Sequence, residues 1–299
     1  MLALCEKHCW KEKEQRKNEI AHLGVNKCVV LSVNCELFLQ PNQISKPQHK
    51  IEMKLLLLLH LVLLPITLFG QDVKALCEKS DEMLSARNLS EAKKAIEEAY
   101  KLAPKDYDVL CRYSRVLVLF GDEQKESEQE KIYLRALELA EEAVALNPKH
   151  ALGYVRRAAA RGKVALFKGV LSVADMVKAT RDDAEKAIQL NNAGEQVLAS
   201  AHYILGRAHL KLTEQPKVVR KPLGLDWGNL DDALLNLKKA TELRKGYIMF
   251  HLDYARALAK KKQLDDAKKE LTAISQMQPT EFGDEVRKQE AFALLSELK

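Results

Sequence analysis

From Gln71 to the C-terminus, apolar residues recur three and four positions apart with charged residues between them, and strict alternation is nearly absent. At about 3.6 residues per turn, that spacing gathers the apolar positions on one face of a helix. Ala, Leu, Glu and Lys dominate the same stretch and are good helix formers. The pattern therefore predicts helix almost throughout. Asn88-Leu-Ser-Glu-Ala92 returns as Asn229-Leu-Asp-Asp-Ala233 and as Gln263-Leu-Asp-Asp-Ala267. Each opens a helix: Asn88 and Asn229 can cap exposed backbone N–H groups, while Glu91 and Asp232 face the positive end of the helix dipole. Ser172 with Asp175 predicts a further start, of the capping-box type. The stops are alike too: Lys101-Leu-Ala-Pro104, Ala145-Leu-Asn-Pro148, Gln189-Leu-Asn-Asn192 and Gln276-Met-Gln-Pro279. Proline cannot continue a helix, so these mark turns between helix pairs.

Repetition at this scale resembles the tetratricopeptide repeat, whose unit is a helix pair of about 34 residues. Tyr254, Ala255, Leu258, Ala267, Leu271 and Pro279 fall on that pattern's large, small, large, Ala, large and Pro positions, and Ala92, Ile96, Ala99 and Pro104 match its second helix and terminator. The middle departs from it. Pro104 to Pro148 and Pro148 to Asn192 each span 44 residues, so these units are extended by about ten residues over the standard repeat. With Tyr203-Ile-Leu-Gly-Arg207 and the closing Pro279-Thr-Glu segment, these long units resemble the regulator of microtubule dynamics family and its bacterial relatives. The resemblance implies an all-α, right-handed tetratricopeptide-like solenoid over 71–299, of about five helix pairs and a capping helix from Gly283 to Lys299.

The N-terminal part reads differently. Lys54 precedes a dense apolar run, Leu55–Phe69, that ends at Gly70. One cation, an apolar core and a small residue form a secretory-signal pattern, and the run is shorter than the roughly 20 residues that span a bilayer. We read 53–70 as a signal peptide, 1–52 as a non-native or disordered extension, and the product as an exported envelope or periplasmic protein; a cytoplasmic location is the alternative. Cys5, His8, Cys9, Cys28 and Cys35 could be read as a metal site, but Cys28 and Cys35 are too far apart for the tight pairs zinc sites use. No metal is expected. Cys77 and Cys111 are the two cysteines of the repeat region, and their pairing stays open.

Composition narrows the function. Apolar residues make up 47% and charged residues 30%, which excludes wholesale disorder. Forty-eight basic against 42 acidic residues give a net charge of +6, too little by itself to imply a nucleic-acid binder. The sequence holds no Gly-rich phosphate loop, no His-Glu-x-x-His pair and no Gly-x-Ser-x-Gly elbow. Asp231-Asp232 and Asp265-Asp266 are accounted for as dipole partners in a first helical turn. A non-enzymatic protein without cofactor is the expectation.

One constellation stands out. Arg115, Arg161, Arg207 and Arg256 each follow the small residue of a first helix, at spacings of 46, 46 and 49. The repeat pattern puts that place on the inner helix, pointing into a concave groove. Guanidinium groups in a row can bind carboxylates through forked hydrogen bonds. The candidate partner is then a protein with an acidic segment or terminal carboxylate; the alternative has each Arg paired with an acid of the next helix. Val144–Ala174 carries Lys149, Arg156, Arg157, Arg161, Lys163 and Lys168 without an acidic residue. It reads as a packed outer helix with a solvated basic face, with membrane contact through 149–168 as the weaker alternative. Trp227, in the Pro/Gly-containing insert Gln215–Gly228, is either an exposed anchor for a partner or a plug between the fourth and fifth pairs. Two other readings stay open: a cytoplasmic microtubule-regulator-like protein on an acidic polymer surface, and a purely structural module.

Overall fold

The computed structural model describes residues 72–168 and 170–298. The readings made on 1–52, on 53–70 and on the early Cys/His group lie outside the described residues. A first helix, α1, covers 72–85 and pairs with α2 (Leu89–Leu102). Next come α3 (Tyr107–Asp122) with α4 (Glu126–Leu146), and α5 (Ala151–Val164) with α6 (Val170–Leu190). The fourth pair is α7 (Glu195–Leu212) with α9 (Leu230–Leu243), interrupted by the short α8 (Lys217–Arg220). The fifth is α10 (Ile248–Lys260) with α11 (Leu264–Gln276), capped by α12 (Asp284–Glu297). No strand occurs among the described residues. The result is an all-α solenoid.

The capping signals act where the sequence puts them. The Asn88 side chain accepts from Glu91 N at 3.2 Å, and Asn229 from Asp232 N at 2.8 Å. Gln263 makes no such bond, having no short side-chain oxygen to offer. Asn192 does more than stop α6: its carbonyl oxygen accepts from Ala151 N at 3.0 Å and its amide donates to Lys149 O at 2.7 Å, which ties it to the start of α5. One expectation shifts, because α6 begins at Val170, ahead of Ser172. The ten-residue extensions take the form of longer second helices: α4 and α6 have 21 residues each, against 14 in α2 and α9.

Packing rests on small side chains. Ala92, Ile96, Ala99, Ala255, Ala267 and Leu271 are buried at the repeat's core positions. Where a polar group enters the seam it is satisfied: Ser80 donates to Ala92 O at 2.9 Å and Ser114 to Ala136 O at 2.8 Å. Gly206 marks a close approach of one helix to the backbone of another, since a Cβ there would lie 2.9 Å from the Leu237 backbone nitrogen. Cys77 and Cys111 are both buried free thiols, and burial raises the pKa of each.

Gly206→Ala is therefore expected to destabilise the protein by about 1–3 kcal/mol, although alanine is the better helix former by about 1 kcal/mol. Gly162→Ala in α5, with nothing within 4 Å of the added Cβ, should stabilise it by roughly 0.5–1 kcal/mol. Urea denaturation of the two variants should give opposite signs.

Candidate partner-binding groove

The four repeat arginines stand on α3, α5, α7 and α10, each one residue after a buried small residue: Ser114, Ala160, Gly206 and Ala255. Each therefore leaves its helix beside the seam. Three of the four are clasped by acids. Arg161 donates to Asp183, which also takes a forked pair of bonds from Arg157 at 3.0 and 2.6 Å; only 12% of the Arg161 side chain stays exposed. Arg207 donates to Asp253 at 2.7 Å and to the Tyr203 hydroxyl at 2.6 Å. Arg256 donates to Asp253 at 2.9 Å and to Glu290 at 2.6 Å. The intramolecular alternative thus describes the first bonds these three groups make.

It does not exhaust Arg207 and Arg256, whose side chains remain 45% and 42% exposed. Between the C-terminal halves of α7 and α10 they line a cleft of about 360 Å³ with Leu210, Lys211, Glu214, Asp253 and Lys260. Four cations face two acids there, and Asp253 is sunk beneath the guanidiniums at 4% exposure. Burial alone would raise its carboxyl pKa; Arg207, Arg256 and the Tyr203 hydroxyl outweigh that and hold it below the ordinary carboxylate value. Asp253 therefore stays ionised near neutral pH and holds the two guanidiniums in place.

Arg115 has a different environment. Its acid is Glu281, at 3.8 Å. Glu281 belongs to the segment between α11 and α12, and its carboxylate is also held by Arg244 at 2.6 Å. The segment crosses to the first helix pair: Arg87 donates to Pro279 O at 2.6 Å and pairs with Glu285, while Phe282 packs on the cluster of Cys77, Leu84 and Leu89. Gly283 makes the turn at φ +78°, and buried Asp284 accepts from Thr280 N at 3.1 Å and Glu281 N at 2.8 Å. First and last units are joined by this strap.

Trp227 is half-buried and packs with Ala174, Leu212 and Leu225, under the Arg181 guanidinium at 4.9 Å and edge-on to His209. Its surroundings are α6 and α7, so it sits between the third and fourth pairs, not the fourth and fifth as the sequence suggested. The insert around it is tied by buried Arg220, which donates to Gln215 O, Leu225 O and Gly228 O at 3.0, 2.8 and 3.1 Å. The basic stretch Val144–Ala174 is not one outer helix. It runs from the end of α4 through α5, the first helix of its pair, into α6. Much of its charge is met by acids of other elements, with Lys163 on Asp122 and Lys168 on Glu130, both at 2.5 Å.

A model of the family of regulator of microtubule dynamics protein 1-3 matches residues 76–299. The chain belongs to that family. No curated protein sequence gives a significant match. Among solved structures, a tetratricopeptide-repeat protein of Thermus thermophilus is 18% identical with a TM-score of 0.57, over 74% of this chain and 99% of that one. PilF of Pseudomonas aeruginosa is 14% identical with a TM-score of 0.48, over 77% of this chain and 93% of its own. At such identity the Thermus likeness speaks to the fold alone. What this family member adds to the plain repeat is the long second helices of its middle units and the strap.

The repeat spacing singled out Arg207 and Arg256, which line the cleft, but gave no sign of Asp183, Asp253 or Glu281. Isolated acids and cations on a helical wheel carry no mark of the distant partner they will meet.

Asp253→Asn should cost roughly 2–3 kcal/mol, less than the ~3–5 kcal/mol of a fully buried pair because the arginines it leaves are half-exposed. Since the folded pKa of Asp253 is depressed, its contribution is present above the unfolded value near 4 and lost as pH falls further. Melting curves of the native and D253N chains should accordingly converge on acidification.

Proposed function

We propose that this family member is a non-enzymatic scaffold that holds an acidic segment of a partner protein against the inner faces of α7 and α10. One observation carries the reading: four cations, Arg207, Lys211, Arg256 and Lys260, line one cleft, and the two arginines stay half-exposed although Asp253 and Glu290 hold them. Half-exposed guanidiniums already oriented by a buried carboxylate lose little freedom when they bind a second one. Arg115 extends the same basic wall toward the N-terminal units. Arg161 acts as a tie between α5 and α6, and Trp227 as packing between α6 and α7. The fold supports a scaffold role because repeat solenoids offer long surfaces built from rigid elements.

In this reading residues 53–70 direct export, and the scaffold works in the bacterial envelope. The family match favours a second reading, in which the same cations meet an acidic polymer surface in the cytoplasm. Among the described residues no helix is long and apolar enough to cross a membrane.

Fluorescence anisotropy with labelled hexaglutamate provides the test. The native chain should bind with an affinity that falls steeply with salt. Lys211→Gln with Lys260→Gln, which leaves Asp253 and its arginines intact, should weaken binding about tenfold, that is about 1.4 kcal/mol. Equal binding by this double variant would end the cleft proposal. Export has its own check: N-terminal sequencing of the mature chain should begin close to Gln71.

A further inference from the structure

A second basic site lies farther along the inner wall, where α3 and α5 face the turn before α10. Arg156 is its centre. The residue is half-buried, and its Nε atom is out of reach of water and has no hydrogen-bond partner. No ion pair is formed by Arg156 among the described residues. Burial, and next the repulsion of Arg115, pull its pKa down to about 10. Asp81, the one carboxylate close enough to offset these, is engaged by Arg112 at 2.8 Å. Tyr247 faces the same space, its ring under the Arg244 guanidinium at 3.8 Å and its hydroxyl within the influence of Arg115 and Glu281.

Arg115 and Arg244 share the single carboxylate of Glu281, at 3.8 and 2.6 Å, and among the described residues Arg156 has no acid of its own. A half-buried guanidinium without an acid still loses part of its hydration, and an arginine cannot escape that cost by losing its proton near neutral pH. Packing alone would be served as well by an uncharged side chain of the same length. Glu281 also displays the chemistry the wall accepts: a carboxylate on an irregular, non-helical segment, hydrogen-bonded by Arg244 and in a looser ion pair with Arg115.

We propose that Arg156 and Arg115, beside Tyr247, form a carboxylate-binding subsite on the inner wall, with Glu281 of the strap occupying only its edge. The ligand is an acidic side chain of the partner segment, so the inference rests on the scaffold reading and extends it from the α7–α10 cleft to the α3–α5 wall. Glu281 competes with that ligand. Removing its charge leaves Arg115 and Arg244 to the newcomer as well.

A small dicarboxylate isolates the subsite from the rest of the groove. Melting of the full chain is followed in sodium succinate and in sodium chloride of equal ionic strength. Succinate should raise the melting temperature of the native chain, by mass action on the folded state. Arg156→Gln should abolish that rise while melting no lower than the native chain in chloride, because it relieves the repulsion with Arg115 and removes the partnerless Nε; an arginine with a merely structural role would melt lower on substitution. Glu281→Gln should shift the protection to lower succinate concentration. Succinate protection that is absent from the native chain, or that survives Arg156→Gln, overturns the subsite.

Hexaglutamate separates this inference from the cleft. Binding that is lost in the Lys211→Gln, Lys260→Gln variant but unchanged in Arg156→Gln removes the subsite and keeps the cleft. Succinate protection that depends on Arg156, in a chain that ignores hexaglutamate, keeps the subsite and removes the scaffold reading.

Discussion

Everything in this molecule depends on helices coming close enough for one backbone to touch the next. Ala, Ser and Gly at the seam make that possible: Ser114, Ala160, Gly206 and Ala255 are all buried, and at Gly206 the neighbouring α9 leaves no room for a methyl group. Helix packing at this distance fixes which positions face inward, as ridges of one helix enter grooves of the other. The arginine that follows each small residue is then delivered to the same place in every unit. Groove chemistry is a consequence of seam geometry.

Charge is the second layer, and it is unevenly shared. Two buried aspartates, Asp183 and Asp253, each take two arginines. Pairs of this buried kind hold elements in register, whereas exposed pairs such as Lys74 with Glu78 contribute little. Asp183 acts within one helix pair and nearly uses up its arginines. Asp253 acts between units, and its arginines stay half open to solvent over the cleft. The same residue type, in the same repeat position, becomes a tie in one unit and a surface in another. The difference lies in how much of each guanidinium the surrounding helices cover.

The strap changes what kind of solenoid this is. Repeat units normally contact only their neighbours. Here Glu281, Phe282 and Glu285 reach residues of the first two units, so the ends of the array support each other across the inner face. A plain stack of hairpins offers its whole concave wall; this one spends part of it on its own C-terminal turn. The long middle units and the strap both lie within the residues that match the regulator of microtubule dynamics family.

Most helix positions, the unit lengths and the seam were legible in the amino-acid sequence, because each is dictated locally, whereas the start of α6 and the division of 144–174 among three helices were not. Apolar spacing, an Asn cap or a terminating Pro acts on residues three or four positions away. So the starts at Asn88 and Asn229 and the stops at Pro104 and Pro148 could be read without coordinates. The destination of Trp227, the orphan state of Arg156 and the reach of Glu281 to Arg115 could not. Those depend on the superhelical path, which sums small rotations over five helix pairs. Only when that path is complete does a residue near position 280 learn that its neighbour is near position 115.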